Sequence, residues 1–185
     1  MLKRPASLEA VRSALWQQLG LATNNKQHGW RTPVLATLDG ATADARTVVL
    51  READEAARQL LFFTDARAGK VAQLRQHPRG TLVMWSAELG WQLRCRVQLS
   101  VEDSGLSVSS RWARIKLSPA AQDYLAPVAP GSALVDPAIA GGGTPARECF
   151  AVVTARVLTI DWLELHREGH RRAVFDEAGA RWVQP

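Results

Sequence analysis

The spacing of apolar residues predicts one helix followed by a series of short strands. Residues 7–19 place apolar side chains on one helical face, with Ser7 as the N-cap and Gly20 as the stop signal. Strands are predicted where β-branched and apolar residues cluster or alternate between turn signals, at 32–38, 46–50, 60–64, 81–85, 91–101, 150–160, 172–175 and 180–183. This pattern favours a chain that is mainly β.

Three further segments complete the predicted organisation. Residues 66–76 form a short helix that ends before Pro78, and 109–125 are typical of a helix pair. Residues 127–144, rich in proline and glycine, form a long loop that is either functional or mobile. We therefore expect a single domain over 1–185, of the α+β class, built as a six- to eight-stranded antiparallel barrel that is closed or partly split.

Composition narrows the class of protein. With 46% hydrophobic and 22% charged residues in 185, the chain can bury a sizeable core, which excludes a disordered tail. Apolar runs are too short to cross a bilayer, and the first residues lack a signal-peptide pattern, so we expect a cytoplasmic protein. Cys95 and Cys149 lie in apolar runs without ligand-spaced neighbours, which predicts buried free thiols and no metal site.

A net charge of +5 raises the possibility of an anionic partner. One hypothesis is a basic barrel that binds single-stranded nucleic acid through stacked tryptophans. The seven tryptophans are dispersed, however, and several lie in apolar runs. This distribution favours roles in the core, so nucleic acid is the less favoured partner.

Cationic and hydroxyl side chains occur in order on consecutive elements. Arg46 and Arg51 flank an apolar strand, Thr64 ends the next strand, and Lys70 lies on the helix that follows. If the strands pair antiparallel, these groups and the helix N-terminus could bind a phosphate dianion. The alternative is that both arginines are ordinary solvent-facing strand ends, and spacing alone leaves the two interpretations about even.

The order of motifs from residue 46 to residue 92 resembles the pyridoxamine 5'-phosphate oxidase family of flavin-binding split barrels. The matching segments, in chain order, are Arg46-Thr47-Val48-Val49-Leu50-Arg51, Phe62-Phe63-Thr64, the helix with Lys70, His77-Pro78-Arg79, Trp85, and Gln92-Leu93. Weaker similarity continues through Trp162, Arg172, Trp182 and Pro185. No single motif is decisive, and the weight lies in their co-occurrence in order.

The resemblance implies a homodimer that binds FMN at its interface. Arg46 and Lys70 would bind the FMN phosphate, and Gln92 would contact the isoalloxazine ring. The backbone of Thr47, Val48, Val49, Leu50, Phe63 and Thr64 would line the ring and the ribityl chain. The other subunit would close the site with Trp162 and Arg172, and less certainly with Ser132.

The substrate half departs from the family pattern more than the FMN half. Arg51 stands where the family has a lysine that binds the substrate phosphate. His170 matches the family histidine and is a candidate for orienting the substrate, but Glu168 replaces an arginine that faces the substrate in the family. The stretch 117–122 keeps its proline and has lost the family's arginine and serine. The resemblance thus implies an FMN-dependent oxidoreductase that transfers hydride from a small amine or alcohol to flavin N5, with vitamin B6 phosphates doubtful as substrates. The alternative is an FMN-binding protein without turnover, serving flavin storage or sensing.

Overall fold

A computed structural model describes residues 4–118, 121, 124–134 and 149–185. Three helices are present in these ranges: α1 (Leu8–Ala22), α2 (Gly69–Gln76) and α3 (Gly105–Ile115). The strands are β1 (Val34–Asp39), β2 (Thr42–Thr47), β3 (Leu50–Asp54), β4 (Gln59–Asp65), β5 (Arg79–Ser86), β6 (Trp91–Glu102), β7 (Phe150–Glu164), β8 (Arg171–Asp176) and β9 (Gly179–Val183). The predicted antiparallel, mainly β class is confirmed.

The order of the strands explains how the sheet closes into a barrel. The hydrogen-bonded path runs β2-β1-β5-β6-β7-β4-β3, and all pairs are antiparallel. Its two edge strands, β2 and β3, follow one another in the chain with only Val48 and Val49 between them. The two edges must therefore lie close together, which a flat sheet does not allow. β8 and β9 extend from β7 as a separate hairpin.

Two details of the strand prediction are wrong. The described residues hold nine strands, one more than the upper limit predicted. The predicted strand 46–50 is divided, because Thr47 ends the pairing with β1 and Leu50 begins the pairing with β4. At the division the amides of Val48 and Leu50 donate to the carbonyls of Pro33 and Arg31, both at 2.9 Å. The backbone remains satisfied while the chain passes from one edge of the sheet to the other.

Helix α1 covers the main core. Ser7 caps it as predicted, accepting a hydrogen bond from the Ala10 amide at 3.1 Å. The predicted stop at Gly20 is wrong, since the helix continues to Ala22 and the Thr23 amide donates to the Gly20 carbonyl. Its apolar face packs into a cluster with the inward side chains of the barrel, and the members contributed by α1 are Val11, Leu15, Trp16, Leu19 and Ala22.

A second, smaller core lies between α3 and the opposite face of β4 and β7. Its buried members are Leu61, Val108, Trp112, Ala121, Tyr124, Leu125, Phe150 and Val152. The first helix of the predicted pair is α3, while Pro119, at the start of the second, lies outside the described residues. The predicted loop 127–144 is described only as far as 134.

Two further expectations from the sequence concern the burial of the cysteines and the membrane. Cys95 is buried and its thiol pKa is raised to about 12, mainly by that burial, whereas Cys149 is only half-buried. In the part of the chain that the structure describes, no helix is both long and apolar enough to span a membrane.

Candidate functional site

Helix α2 and the strands β1, β2 and β4 bring six polar side chains into one cluster, called here the cation cluster. Its members are Thr37, Asp44, Arg46, Thr64, Lys70 and Gln73. Asp44 and Arg46 are two residues apart on β2 and therefore share a face, and Lys70 and Gln73 are three apart on α2. The predicted meeting of a strand end with the first turn of a helix is thus found.

Arg46 makes the largest number of contacts in the cation cluster. Its Nη1 donates to Thr37 Oγ1 at 2.5 Å, and its Nη2 donates to Gln73 Oε1 at 2.7 Å and to the Asp44 carboxylate. The Arg46 side chain is only 18% exposed. A hydrogen bond from Gln73, and then the charge of Arg46, lower the pKa of Asp44 below its ordinary value. Arg46 is therefore held by side chains of its own protomer rather than free in solvent.

Lys70 is the less compensated of the two cations. Its Nζ donates to Thr64 Oγ1 at 3.0 Å, and the described residues include no carboxylate in an ion pair with it. Partial burial, and then the charge of Arg46, lower the pKa of Lys70, while Asp65 acts in the opposite direction. Asp65 is itself paired with Arg67, whose Nη2 donates to it at 2.7 Å.

The donor set of the cation cluster fits a phosphate group. The cation cluster contains two cations, Arg46 and Lys70, and one carboxylate, Asp44, so it carries an excess positive charge. Helix α2 begins beside it, and Ala68 at its N-cap has no side-chain cap, which leaves the positive end of the helix open to an anion. An incoming dianion would offset the repulsion that lowers the pKa of Lys70.

Arg51 and Phe63 lie on the other face of β4 from Thr64, beside the second core. The Arg51 guanidinium lies 5.7 Å from the centre of the Phe63 ring, and its Nη2 donates to the Tyr124 hydroxyl at 3.3 Å. Its buried Nε has no hydrogen-bond partner among the described residues. Arg51 is thus a half-buried cation in an aromatic environment, separate from the cation cluster.

Gln92 and Arg172 lie in one row across the outer face of the sheet. Gln92 pairs with Trp85 on one side and Leu163 on the other, and Leu163 pairs with Arg172. Side chains directly opposite one another on adjacent strands share a face. Arg172 is not free in the protomer, because its Nε and Nη2 donate to the two carboxylate oxygens of Asp161 at 2.9 and 2.7 Å.

Three further predicted residues lie outside the groups described above, and their roles toward a cofactor or substrate stay predictions. Trp162 is fully buried in its own protomer, with its ring 5.3 Å from that of Trp91 and 6.2 Å from that of Trp182. His170 is exposed between β7 and β8, and its Nδ1 accepts from the His166 amide at 3.1 Å. Ser132 is exposed in the segment 124–134.

Tryptophan placement bears on the nucleic-acid hypothesis. Most of the ring surface is buried in the two cores, at Trp16, Trp30, Trp91, Trp112 and Trp162. Trp85 and Trp182 remain, 45% and 43% exposed, and they lie on different strands. Two separated rings do not make the stacking platform that single-strand binding requires.

Sequence reasoning missed Thr37, Asp44 and Gln73. For Asp44 and Gln73 the signals were local and weak: an acid two residues before Arg46, and an amide three residues after Lys70. The long-range pairing of β1 with β2, and the packing of α2 against β1, are what bring them together.

An antiparallel split barrel with a cationic cluster beside a helix N-terminus is typical of a barrel that binds a small anionic molecule. Comparison with known proteins shows what this barrel resembles. Residues 13–103, just under half of the chain, match the family model of the pyridoxamine 5'-phosphate oxidase FMN-binding domain. This segment is therefore similar to an FMN-binding domain, and FMN is the cofactor that the family model names.

Individual relatives agree in fold and in part of the sequence. A pyridoxine/pyridoxamine 5'-phosphate oxidase of Thermosynechococcus vestitus is 42% identical over 77 residues, which is 40% of this chain and 35% of the relative. The match thus spans about a third of the length of the curated relatives. A pyridoxamine 5'-phosphate oxidase-related, FMN-binding protein from Nostoc punctiforme is 24% identical, with full coverage of both chains and a TM-score of 0.75. PhzG from Burkholderia lata, solved with tetrahydrophenazine-1-carboxylic acid, is 18% identical over 94% of this chain and 91% of its own, with a TM-score of 0.74.

Proposed function

We propose that the protein is an FMN-dependent oxidoreductase that oxidises a small amine or alcohol, with the FMN phosphate bound by Arg46 and Lys70. The observation that carries this proposal is the cation cluster, where a half-buried lysine and a half-buried arginine are accompanied by one carboxylate. Bound FMN supplies a hydride acceptor at N5. Thr64 holds the Lys70 ammonium, and the positive end of α2 adds to the field on the phosphate.

Arg51 is the residue we assign to an anionic group of the substrate. It is half-buried among aromatic rings and forms no ion pair with the described residues. Curated relatives are named pyridoxine/pyridoxamine 5'-phosphate oxidases, which makes vitamin B6 phosphates the first donors to try. Glu168 and the altered stretch 117–122 argue that other small anionic amines and alcohols belong in the same panel.

We also propose a homodimer that contacts FMN from both subunits. On the outer face of the sheet, the apolar side chains of Val34 and Trp85 are exposed in the single chain, and Trp85 lies directly opposite Gln92. A second copy of the chain would cover this face and bring its own Gln92 and Arg172 to the cofactor. Sedimentation of the wild-type protein and of Trp85→Asp tests this, with Leu117→Asp on the exposed end after α3 as the control. A wild-type monomer would overturn the dimer.

The test of function is spectroscopic. The purified protein should carry yellow FMN at one per chain, released by heat and identified by chromatography. Under anaerobic conditions, a true organic donor should bleach the oxidised flavin at a rate that saturates with donor concentration. Bleaching supports the oxidoreductase.

Two other outcomes would change the assignment. Stoichiometric FMN that no donor in the panel bleaches would favour the second candidate, an FMN-binding protein without turnover. One observation favours the FMN-binding protein without turnover. The hydrogen bond from the His166 amide occupies one ring nitrogen of His170, the residue expected to orient the substrate. A protein that is colourless and fails to bind added FMN would overturn both, and salt-dependent oligonucleotide binding would be measured next.

A further inference from the structure

We propose that Gln73 is a positioning residue that sets the geometry of Arg46 and Lys70 for the FMN phosphate. This inference rests on the placement of the phosphate at those two residues, proposed above. Gln73 is half-buried on α2, one helical turn beyond Lys70. Its side chain connects that helix to both β1 and β2.

The hydrogen bonds of Gln73 form a closed arrangement with Arg46 and Asp44. Its Oε1 accepts from Arg46 Nη2 at 2.7 Å, and its Nε2 donates to Asp44 Oδ2 at 2.9 Å. Arg46 Nη2 also donates to the same Asp44 oxygen, which completes the ring. The hydroxyl of Thr37 adds a further donor to Gln73 Oε1 at 2.8 Å.

A neutral amide is suited to this position because it accepts and donates at once. Oε1 stabilises the guanidinium of Arg46 without neutralising it, and Nε2 holds the carboxylate of Asp44. The amide therefore fixes the Arg46 side chain without adding a second negative charge to that of Asp44. A carboxylate in place of the amide would pair with Arg46 and compete with the phosphate for its charge.

The same contacts connect the two elements that carry the cations. Lys70 and Gln73 lie on one face of α2, and Arg46 lies on β2, so the bond from Gln73 to Arg46 ties the element carrying one cation to the element carrying the other. Preorganised donors bind an anion more tightly than donors that must first be ordered. Gln73 thus acts on the phosphate through Arg46 and Lys70, without contacting it.

The experiment compares the dissociation constants of FMN and riboflavin, which lacks the phosphate, in full-length protein freed of flavin and refilled. Gln73→Ala should reduce the preference for FMN over riboflavin about tenfold, as expected for loss of hydrogen bonds to charged groups. The affinity for riboflavin should stay near its wild-type value. Gln76→Ala, an exposed glutamine on the same helix, is the matched control and should leave both constants unchanged.

Gln73→Glu separates positioning from simple structural support. Glutamate can still accept from Arg46 and Thr37, but it loses the donor to Asp44 and places a second carboxylate beside it, so the melting temperature should fall no further than in Gln73→Ala. The preference for FMN should nevertheless fall by at least as much as in Gln73→Ala. A wild-type preference in Gln73→Glu and Gln73→Ala would overturn the inference.

Arg46→Ala and Lys70→Ala distinguish failure of this inference from failure of the placement beneath it. Each should release FMN while leaving the fold intact, with a loss of phosphate preference larger than that of Gln73→Ala. If they lose the preference and the Gln73 variants keep it, the phosphate placement stands and the role of Gln73 is wrong. If Arg46→Ala and Lys70→Ala also keep it, the placement itself is wrong.

Discussion

The ammonium of Lys70 donates a 3.0 Å hydrogen bond to the hydroxyl of Thr64, a side chain that is only 4% exposed. A neutral hydroxyl stabilises the ammonium less than a carboxylate would. Partial burial, and then the charge of Arg46, lower the pKa of Lys70. This relationship gives the cation cluster a dependence on pH that a solvent-exposed lysine would not have.

We predict that FMN affinity falls as pH rises through the lowered pKa of Lys70. A bound phosphate dianion favours the charged lysine and raises its pKa, so FMN binding takes up a proton at pH values between the free and bound pKa. Below this interval Lys70 is charged in both states, and affinity does not depend on its titration. Fluorescence titration of FMN from pH 7 upward measures the effect.

Lys70→Arg is the control for this pH dependence. Arginine stays charged throughout the range, so the alkaline fall in FMN affinity should disappear, while riboflavin should show no such fall in either protein. An alkaline fall of equal size in Lys70→Arg would show that another group is responsible.

We predict that Glu164→Gln lowers the free energy of unfolding by about 2 kcal/mol at pH 7. The Glu164 side chain is 4% exposed and accepts hydrogen bonds from Arg4 at 2.9 Å, from Arg171 at 2.8 Å and from the Trp91 indole at 3.3 Å. Burial opposes its ionisation, but the hydrogen bonds from Arg171 and Arg4 outweigh it and lower its pKa. Urea denaturation measures the change.

The effect of Glu164→Gln should diminish in acid. A lowered pKa in the folded protein gives stability that is fully present above the unfolded pKa of about 4.3 and is lost as pH falls through the folded value. The difference between wild type and variant should therefore shrink below about pH 4. Glu168→Gln is the control, because Glu168 is 63% exposed and 3.7 Å from Arg4, and it should change stability by less than about 0.5 kcal/mol.

Local patterns were sufficient to predict most of the secondary structure. β6 was predicted at 91–101 and observed at Trp91–Glu102, because alternation of buried and exposed side chains is a direct consequence of one face packing on the core. The division at Val48 and Val49 could not be predicted in this way. Both residues suit a strand, and only the closure of the sheet requires the chain to change partners there.

In the candidate site, too, local motifs could be predicted and long-range contacts could not. Arg46 and Lys70 were found from the order of motifs, since each is carried by its own short segment. The contacts that hold Arg46 come from Asp44 and Gln73, and which helix meets which strand is set by long-range packing. The burial of Trp162 likewise depends on the rings of Trp91 and Trp182, which are distant in sequence.

We predict that Gly29→Ala lowers the free energy of unfolding by about 2 kcal/mol. A Cβ at Gly29 would lie 2.7 Å from the Trp85 carbonyl oxygen and 2.8 Å from the Ser86 Cα, both backbone atoms that cannot move aside. Gly20→Ala is the matched control: no atom lies within 4 Å of its added Cβ, and alanine favours the helix, so it should stabilise by about 0.5 kcal/mol. Thermal denaturation of the two variants should give changes of opposite sign.

Arg51 gives a prediction in which stability and function change in opposite directions. Its Nε is buried without a partner among the described residues, and its charge adds to the burial that lowers the pKa of Arg31. Such a cation is costly in the free protein and is retained where a ligand needs it. Arg51→Met keeps an unbranched apolar stem and removes the charge.

We therefore expect Arg51→Met to raise the free energy of unfolding by about 1 kcal/mol while slowing flavin bleaching by anionic donors. Bleaching by a neutral donor of the same reacting group should change little, since Arg51 is assigned to the anion alone. Arg114→Met, at an exposed arginine of α3, should leave stability and bleaching within error of wild type. Equal slowing of anionic and neutral donors would show that Arg51 supports the site's structure and does not select the charge of the substrate.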